Sequence, residues 1–478
     1  MNINLNNLSK KKDTEKNIEE VLKELDFFFS KNNYGKACNF INAKFEIPKD
    51  EIIFFFKKEI VNLLDFSKNE ILIKRFNFYN YWKYFFLSLF HCFFIFIFRK
   101  KSFKLNYFEL LIDHLDSEHE LKHYERIIKK YNKDELLIRT RNKKLISKNR
   151  NIIFFHKYKN YDFKLKDLLN YISLIFISLY ISLKYKINFS YLSLKIIDEI
   201  FFYKSFFKNY KIKNILMHQH YYSSNIKNYF FKKNDGKSSC LIQKNLNTRF
   251  TNGYFYHCDA LFPYSSNATI NNLKSHSNIK ESVPVGSLFM ERHFYNEIEN
   301  NVPDLDLLYI AGTGLSPGKH YDTYENYKKD YEEHLKWLIN ISNDFPHLKV
   351  GIKHRFNNVN NFEYNFLKGS RVIKIDQNLN SYHVAEKAKF LCSWCSSMII
   401  ELNSIGKLGM FLDPGARNNQ FLSDVNLREK ISFTSYENFK NFFINNDLSN
   451  LANEYKNLFC LDSKEVSLKN INYLKKVK

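Results

Sequence analysis

Ser393-Trp394-Cys395-Ser396-Ser397-Met398-Ile399-Ile400-Glu401 is the stretch of this 478-residue chain whose residue types and spacing best suit chemistry. The apolar run 389–393 reads as a strand, and Ser396 or Ser397 can cap a helix over 397–405. A helix N-terminus presents free backbone N–H groups and the positive end of the peptide dipoles, so it suits a phosphate. Glu401 falls one turn further in, where a carboxylate can accept hydrogen bonds from two ribose hydroxyls. The plainer reading is a capped helix with a surface Glu. Two other turns also follow strands. Ala311-Gly312-Thr313-Gly314-Leu315-Ser316 offers glycines and hydroxyls that let backbone N–H groups close on a phosphate, or simply make a tight turn. It is neither G-x-G-x-x-G nor a Walker motif. Lys353-His354-Arg355 sets three cationic or donor groups at the end of the run 348–352, as a phosphate contact or a solvated basic turn.

Strands must place these turns, and the chain alternates accordingly. Residues 107–113, 135–139, 151–155, 214–218, 239–243, 260–263 and 281–285 read as strands, with helices at 119–130 and 223–233 between them. A polar stretch at 290–304 reads as a linker. A second series follows: strands at 307–311, 348–352, 371–375, 389–393 and 409–412, with helices at 326–343, 381–388 and 397–405. Alternation of this kind predicts parallel sheets covered by helices on both faces. In such sheets ligands bind beyond the carboxyl ends of the strands, where the three turns lie. The expected organisation is a helical region at 1–105 and a first Rossmann-like domain at 106–289, with an apolar helical insertion at 163–207. A second Rossmann-like domain at 305–435 and a helical tail at 436–478 follow.

From about 306 to 420 the chain resembles the nucleotide-binding domain of GT-B glycosyltransferases. The nearest group is that of bacterial surface polysaccharides: capsule and lipopolysaccharide transferases, polysialyltransferase-like enzymes and CDP-glycerol glycerophosphotransferases. Several of these pair a Lys-His-Pro-like turn with a Ser-Ser turn and a Glu helix. The counterparts are His354, Ser396, Ser397 and Glu401, with Arg355 where the family often has Pro. In the first half, 239–243 resembles a strand leading to a Gln-His-Gly turn, although Lys244 and Asn245 replace the His and Gly. Pro284-Val285-Gly286-Ser287 resembles the exit from the first domain. The resemblance implies an α/β fold of two Rossmann-like domains facing each other. It implies a nucleotide-activated sugar donor held by His354, Ser396, Ser397 and Glu401, to which the reading of the turns adds Gly312, Thr313, Gly314, Lys353 and Arg355 as nucleotide-binding candidates. A glycan or lipid-linked acceptor would lie on the first domain, and no metal or other cofactor is expected. A related alternative is polyol-phosphate transfer from CDP-glycerol or a similar donor.

An inverting transferase must deprotonate its acceptor hydroxyl, from the side of the cleft opposite the nucleotide. His114 and Asp116 follow the first strand, and His218 and His220 follow the strand at 214–218. Asp116 is the first choice as catalytic base and His220 the second. His218 and His220 form a His-x-His without a third ligand in view. Cys392 and Cys395 form a Cys-x-x-Cys that overlaps the serine turn and lacks a second ligand pair, so neither pattern predicts a metal site.

Composition bounds the remainder. Hydrophobic residues make up 45% and charged residues 26%, which excludes disorder as the main description. The net charge of +23 suits a polyanionic partner, either nucleic acid or an anionic lipid surface. It also matches an A/T-rich coding bias, given the abundance of Lys, Asn, Ile, Phe and Tyr. No zinc finger, RRM signature or isolated basic recognition helix is present, so nucleic acid is not the expected partner. Seven scattered cysteines suggest reduced thiols, and the polar N-terminus predicts no secretory signal. Two apolar runs, YFFLSLFHCFFIFIF at 84–98 and LLNYISLIFISLYISL at 168–183, are flanked by Lys and Arg. They read as core helices, as a monotopic anchor or as a span; at roughly 22 Å the first is short for a hydrocarbon core of about 30 Å. The expected location is cytoplasmic, peripheral on the inner face of the cytoplasmic membrane. The reading from another functional class is a non-enzymatic, basic, membrane-associated or nucleic-acid-binding protein.

Overall fold

The computed structural model describes residues 32–65, 78–99, 105–146, 152–154, 161–185, 188–218, 223–243, 255–266, 277–295, 301–311, 324–354, 362–394, 396–407, 409–415, 431–445 and 453–476, with scattered positions between 22 and 30. Helices α1 (Asn32–Phe45), α2 (Lys49–Asp65) and α3 (Phe78–Ile97) precede the first sheet. The first unit then runs β1 (Asn106–Asp113), α4 (Glu118–His123), α5 (Glu125–Ile128), β2 (Leu136–Thr140), β3 (Ile152–Phe154), α6 (Leu165–Tyr185) and α7 (Phe189–Asn209). It continues with β4 (Tyr210–Met217), α8 (Asn225–Lys233), β5 (Ser238–Ile242), β6 (His257–Phe262), β7 (Asn278–Ser282) and α9 (Leu288–Tyr295). The second unit comprises β8 (Leu307–Ile310), α10 (Tyr324–Asp344), β9 (Val350–Lys353), α11 (Phe362–Phe366), β10 (Ile373–Lys374) and α12 (Ser381–Lys387). After these come β11 (Phe390–Ser393), α13 (Met398–Glu401), β12 (Gly409–Leu412), β13 (Ser432–Phe433), α14 (Tyr436–Asn445) and α15 (Val466–Lys476).

Both sheets are parallel throughout. Their strand orders are β3-β2-β1-β4-β5-β6-β7 and β10-β9-β8-β11-β12-β13. Each therefore starts in the middle, winds outward and reverses, between β1 and β4 in one and between β8 and β11 in the other. This is the doubly wound Rossmann order, and the reversal opens a crevice at the carboxyl ends of the central strands. The fold is α/β with two Rossmann-like units, as the sequence predicts.

Strand periodicity divides the first core. Leu110 and Ile112 of β1 face a layer that includes Leu216, Ile242, Tyr124, Ile127 and Leu288, completed by Val466, Ile471 and Leu474 of α15. Leu111 faces the opposite layer, with Ile215, Met217, Phe201, Phe206 and Ile226, against which α1, α2 and the insertion helices α6 and α7 also pack. The C-terminal helix thus returns from the second unit to the first.

Three readings differ from the structure in detail. The stretch 290–304 begins inside α9, whose Met290, Glu291 and His293 are buried. The last strand of the first sheet lies at 278–282 instead of 281–285, because this edge strand is mostly exposed and carries little apolar signal. The expected helix at 397–405 is four α-helical residues followed by a 3-10 turn, Leu402–Ile405.

Candidate active site

At the second switch point, β8, β9 and β11 bring their carboxyl ends together. Gly312, Thr313, Gly314 and Arg355, on the turns after β8 and β9, lie outside the described residues. Lys353 ends β9 and His354 follows it. The Lys353 ammonium is buried and donates to the carbonyls of His354 and Gln377 at 3.0 and 2.9 Å. His354 is fully buried, stacks on Tyr364 at 4.1 Å and holds Nε2 3.4 Å from Glu363 Oε2. Burial, offset in part by Glu363, lowers its pKa. Glu363 in turn accepts from the Tyr331 hydroxyl. Trp394 packs on Tyr331 and His334 at 4.7 and 5.0 Å. A network of buried aromatic and titratable side chains therefore lies at the carboxyl ends of β9 and β11.

The serine turn is held from below. Ser393 donates to the Ile310 carbonyl at 2.7 Å, tying β11 to β8, and its oxygen accepts from Ser396 N–H at 3.1 Å. Ser397 stands at the N-cap of α13 without a side-chain capping bond. Cys392 is free and buried in β11, and Cys395 lies outside the described residues.

Glu401 is not the surface carboxylate of the plainer reading: it is 3% exposed. Its Oε2 accepts from Ser287 Oγ and Tyr382 Oη, both at 2.8 Å. Burial pushes its pKa up to about 7, against the lowering effect of bonds from Ser287, Tyr382, Tyr264 and Ser397. Ser287 and Tyr264 follow β7 and β6, so segments beyond the carboxyl ends of both sheets meet at this carboxyl. Ser287 Oγ also accepts from Phe289 N–H and Met290 N–H at 3.2 and 3.4 Å, in the first turn of α9.

The other side of α9 faces the first switch point. Phe289 packs on His123 at 4.3 Å and on His218 at 6.4 Å. Arg292 Nη1 lies 3.2 Å from His119 Nδ1. His218, directly after β4, places Nε2 3.1 Å from Glu120 Oε1 and Nδ1 2.9 Å from the Tyr124 hydroxyl. Glu120 Oε2 accepts from Asp116 N–H at 2.7 Å. Asp116 itself is engaged by Arg141. Its Oδ1 accepts from Arg141 N–H at 2.7 Å, and its Oδ2 from Nε and Nη2 at 2.9 and 2.7 Å. His220 lies outside the described residues.

Beneath this crevice sits a buried charge cluster. Asp113 closes β1 with its carboxylate on Arg139 of β2 and on Lys227, the latter at 3.0 Å. Burial raises the Asp113 pKa, but Arg139, His114 and Lys227 together hold it well below the usual carboxylate range. His114 follows in the left-handed region at φ 66°, a conformation that costs a non-glycine residue about 1 kcal/mol or more. Among the described residues, no group of three or more His, Cys, Asp or Glu side chains is disposed to hold a metal ion.

Sequence reasoning selected Ser396, Ser397 and Glu401, and the structure brings these together. It missed Glu120, Ser287 and Tyr382. Glu120 had a local signal, because Ser117-x-x-Glu120 is a capping-box pattern. Ser117 does cap α4, but the Glu120 carboxylate turns to Asp116 and His218.

No protein-family model and no curated protein matches the sequence. Among solved structures the chain is similar to S. aureus MnaA in complex with UDP, at 13% identity and a TM-score of 0.46, over 77% of this chain and 96% of that one. It is also similar to the UDP-GlcNAc 2-epimerase of Neisseria meningitidis bound to UDP-GlcNAc, at 12% identity and a TM-score of 0.41, over 77% and 100%. A third likeness is to the wall teichoic acid polymerase TagF, at 12% and 0.41, over 77% and 88%. These are likenesses of chain course, and the fold assignment rests on the strand orders above.

Proposed function

We propose that this chain is a transferase that takes a nucleotide-activated donor, in the first instance a nucleotide sugar, and passes the activated group to a hydroxyl of a glycan or lipid-linked acceptor. One observation carries the reading. The carboxyl ends of two doubly wound sheets converge around the start of α9: Glu401 bonds to Ser287 just before that helix, and Phe289 in its first turn packs on His218, which lies beside Glu120. Two reactants can then be held against each other by separate rigid units, which lowers the entropic part of the barrier.

In this reading the second unit holds the nucleotide. The turn Ser396–Ser397 and the glycine turn after β8 contact phosphate, and Tyr382 and Glu401 supply polar atoms at the seam. Lys353 and His354 support the turn from beneath it. On the first unit, Glu120 accepts the acceptor's proton and His218 orients it, while Asp116 acts as a positioning residue through its backbone N–H. A carboxylate is a competent base when it lies within hydrogen-bond reach of the hydroxyl it deprotonates.

The test has two arms. Thermal shift with CMP-, CDP-, UDP- and GDP-activated donors, a CDP-linked polyol included, identifies the donor class. Ser396→Ala should then weaken donor binding roughly tenfold, as the loss of one charge-assisted hydrogen bond does. Glu120→Gln should leave donor affinity intact and lower turnover by at least about a hundredfold. A chain that binds none of these donors, or a Glu120→Gln variant with full turnover, contradicts the proposal.

A further inference from the structure

α3 and α6 lie antiparallel. His91 approaches Tyr171 at 3.1 Å, Phe85 packs on Phe176 at 5.6 Å, and Phe96 packs on Phe163 at 6.5 Å. Each helix buries one side in the core and leaves the other uncovered among the described residues. On α3 the exposed apolar positions include Phe86 (60%), Phe90 (70%), Phe93 (51%) and Ile97 (71%), a stripe at helical spacing, with Leu87 beside it. On α6 they include Leu169 (60%), Phe176 (57%) and Tyr180 (57%). Phe85 joins the stripes, since it touches both Phe86 and Phe176, at 5.4 and 5.6 Å. A continuous apolar face with this many aromatic rings exceeds what a free surface normally shows.

Charge is arranged around this face, not across it. Lys83 lies near the start of α3 and Lys184 near the end of α6, so antiparallel packing brings them to one end of the pair. Arg99, Lys164 and Lys166 gather at the other end, and all five are exposed. α3 contains no acidic residue, and the single acid of α6, Asp167, is buried.

α6 is the one described helix long and apolar enough to cross a bilayer. Its inner side is committed elsewhere, however. Ser178 bonds to Ser193 of α7 at 2.7 Å, and Ser182 accepts from the N–H groups of Phe189 and Ser190. A helix fastened along one side to the protein core can lie in a membrane surface but does not leave that core to span.

We propose that the α3–α6 face seats in the surface of an anionic phospholipid bilayer, with its aromatic stripe at the level of the upper acyl chains and the five end-placed cations on headgroup phosphates. An apolar band between two cationic ends matches an interface that is apolar within and anionic above. The inference is independent of the donor reading, since none of these residues belongs to the candidate active site.

The test uses the full chain and vesicles of phosphatidylcholine with or without phosphatidylglycerol. The wild type should float with phosphatidylglycerol vesicles, and high salt should reduce attachment only in part, because insertion of apolar side chains is not screened. Phe90→Glu combined with Phe176→Glu should lower vesicle affinity at least tenfold with an unchanged unfolding midpoint, as both positions are exposed. Phe90→Trp, which preserves the face, should float normally and show fluorescence quenched by lipids brominated on their acyl chains. The proposal is overturned by no flotation of the wild type, by unaltered affinity in the double Glu variant, or by an unquenched Trp. A stable dimer that the Glu substitutions dissociate, without vesicle binding, assigns the face to a second copy instead. Complete release by high salt also overturns it, since headgroup pairing alone would then hold the protein.

Discussion

Glu401 keeps its proton to about pH 7 because its burial outweighs the four hydroxyls that point its way. The stability consequence follows in sign. The folded chain binds this proton more tightly than the unfolded chain, whose value is near 4.5. Its contribution is therefore complete below that value, falls as pH rises through 7 and levels off above it, a change of about 3 kcal/mol. Urea unfolding at a series of pH values should show this decline in the wild type and lose it in Glu401→Gln, which keeps acceptor capacity without titrating. The same carboxyl marks how far sequence reading reached. Its spacing from Ser397 is local and was visible. Its burial was not, because Ser287 is 114 residues away in the chain and no local pattern announces that contact. The contact between Glu120 and His218 was hidden for the same reason, because His218 is delivered by a different strand. Asp116, prominent in sequence directly after β1, is drawn into a pair by Arg141 from the turn after β2.

Among elements, β12 and α13 pack in close contact at Gly409. A Cβ built on Gly409 would fall 2.0 Å from one Ile399 methyl and within 3 Å of two further atoms of that side chain. Gly409→Ala must therefore push α13 away from the sheet, and overpacking of this kind costs about 1–3 kcal/mol. Because α13 carries Glu401 and begins at Ser397, donor affinity should fall together with the unfolding midpoint. Adding Ile399→Ala should recover part of both, and a strictly additive double-mutant cycle would contradict the packing argument. The existence of most strands was legible from apolar runs bounded by turns. Their order was not, because β1 finds β4 only after two strands and two long helices have intervened. The serines at 173, 178 and 182 of the second apolar run recur close to helical spacing, and the sequence shows no more than that. The partners of Ser178 and Ser182 on α7, which make them an internal seam in place of a wet face, appear only in the folded chain.

Across the whole molecule, the segment from 453 onward stitches the units together. Phe459 N–H donates to Asn403 in the second unit, Leu461 N–H to Tyr264 in the first, and Ser463 Oγ accepts from Ser287 N–H at 2.9 Å. Gly286 permits that approach: it has φ 96°, and a Cβ there would lie 2.7 Å from Ser463 Oγ. α15 then buries Val466, Ile471 and Leu474 on the first sheet, and Ser467 reaches the buried Glu291 of α9. Removing residues 464–478 should cost the first unit on the order of 5 kcal/mol from those three side chains alone. Hydrogen exchange should accelerate in β4–β6 more than in β8–β12, and a uniform change would argue against a specific role for α15. This arrangement also bears on biosynthesis. The first sheet leaves the ribosome with one wall incomplete, and the helix that completes it emerges about 180 residues after β7, a wait of roughly ten to forty seconds at ordinary elongation rates. During that interval Leu288 and its neighbours lack the cover of Val466, Ile471 and Leu474, and the apolar surface left open is of the kind that holdase chaperones bind until α15 arrives.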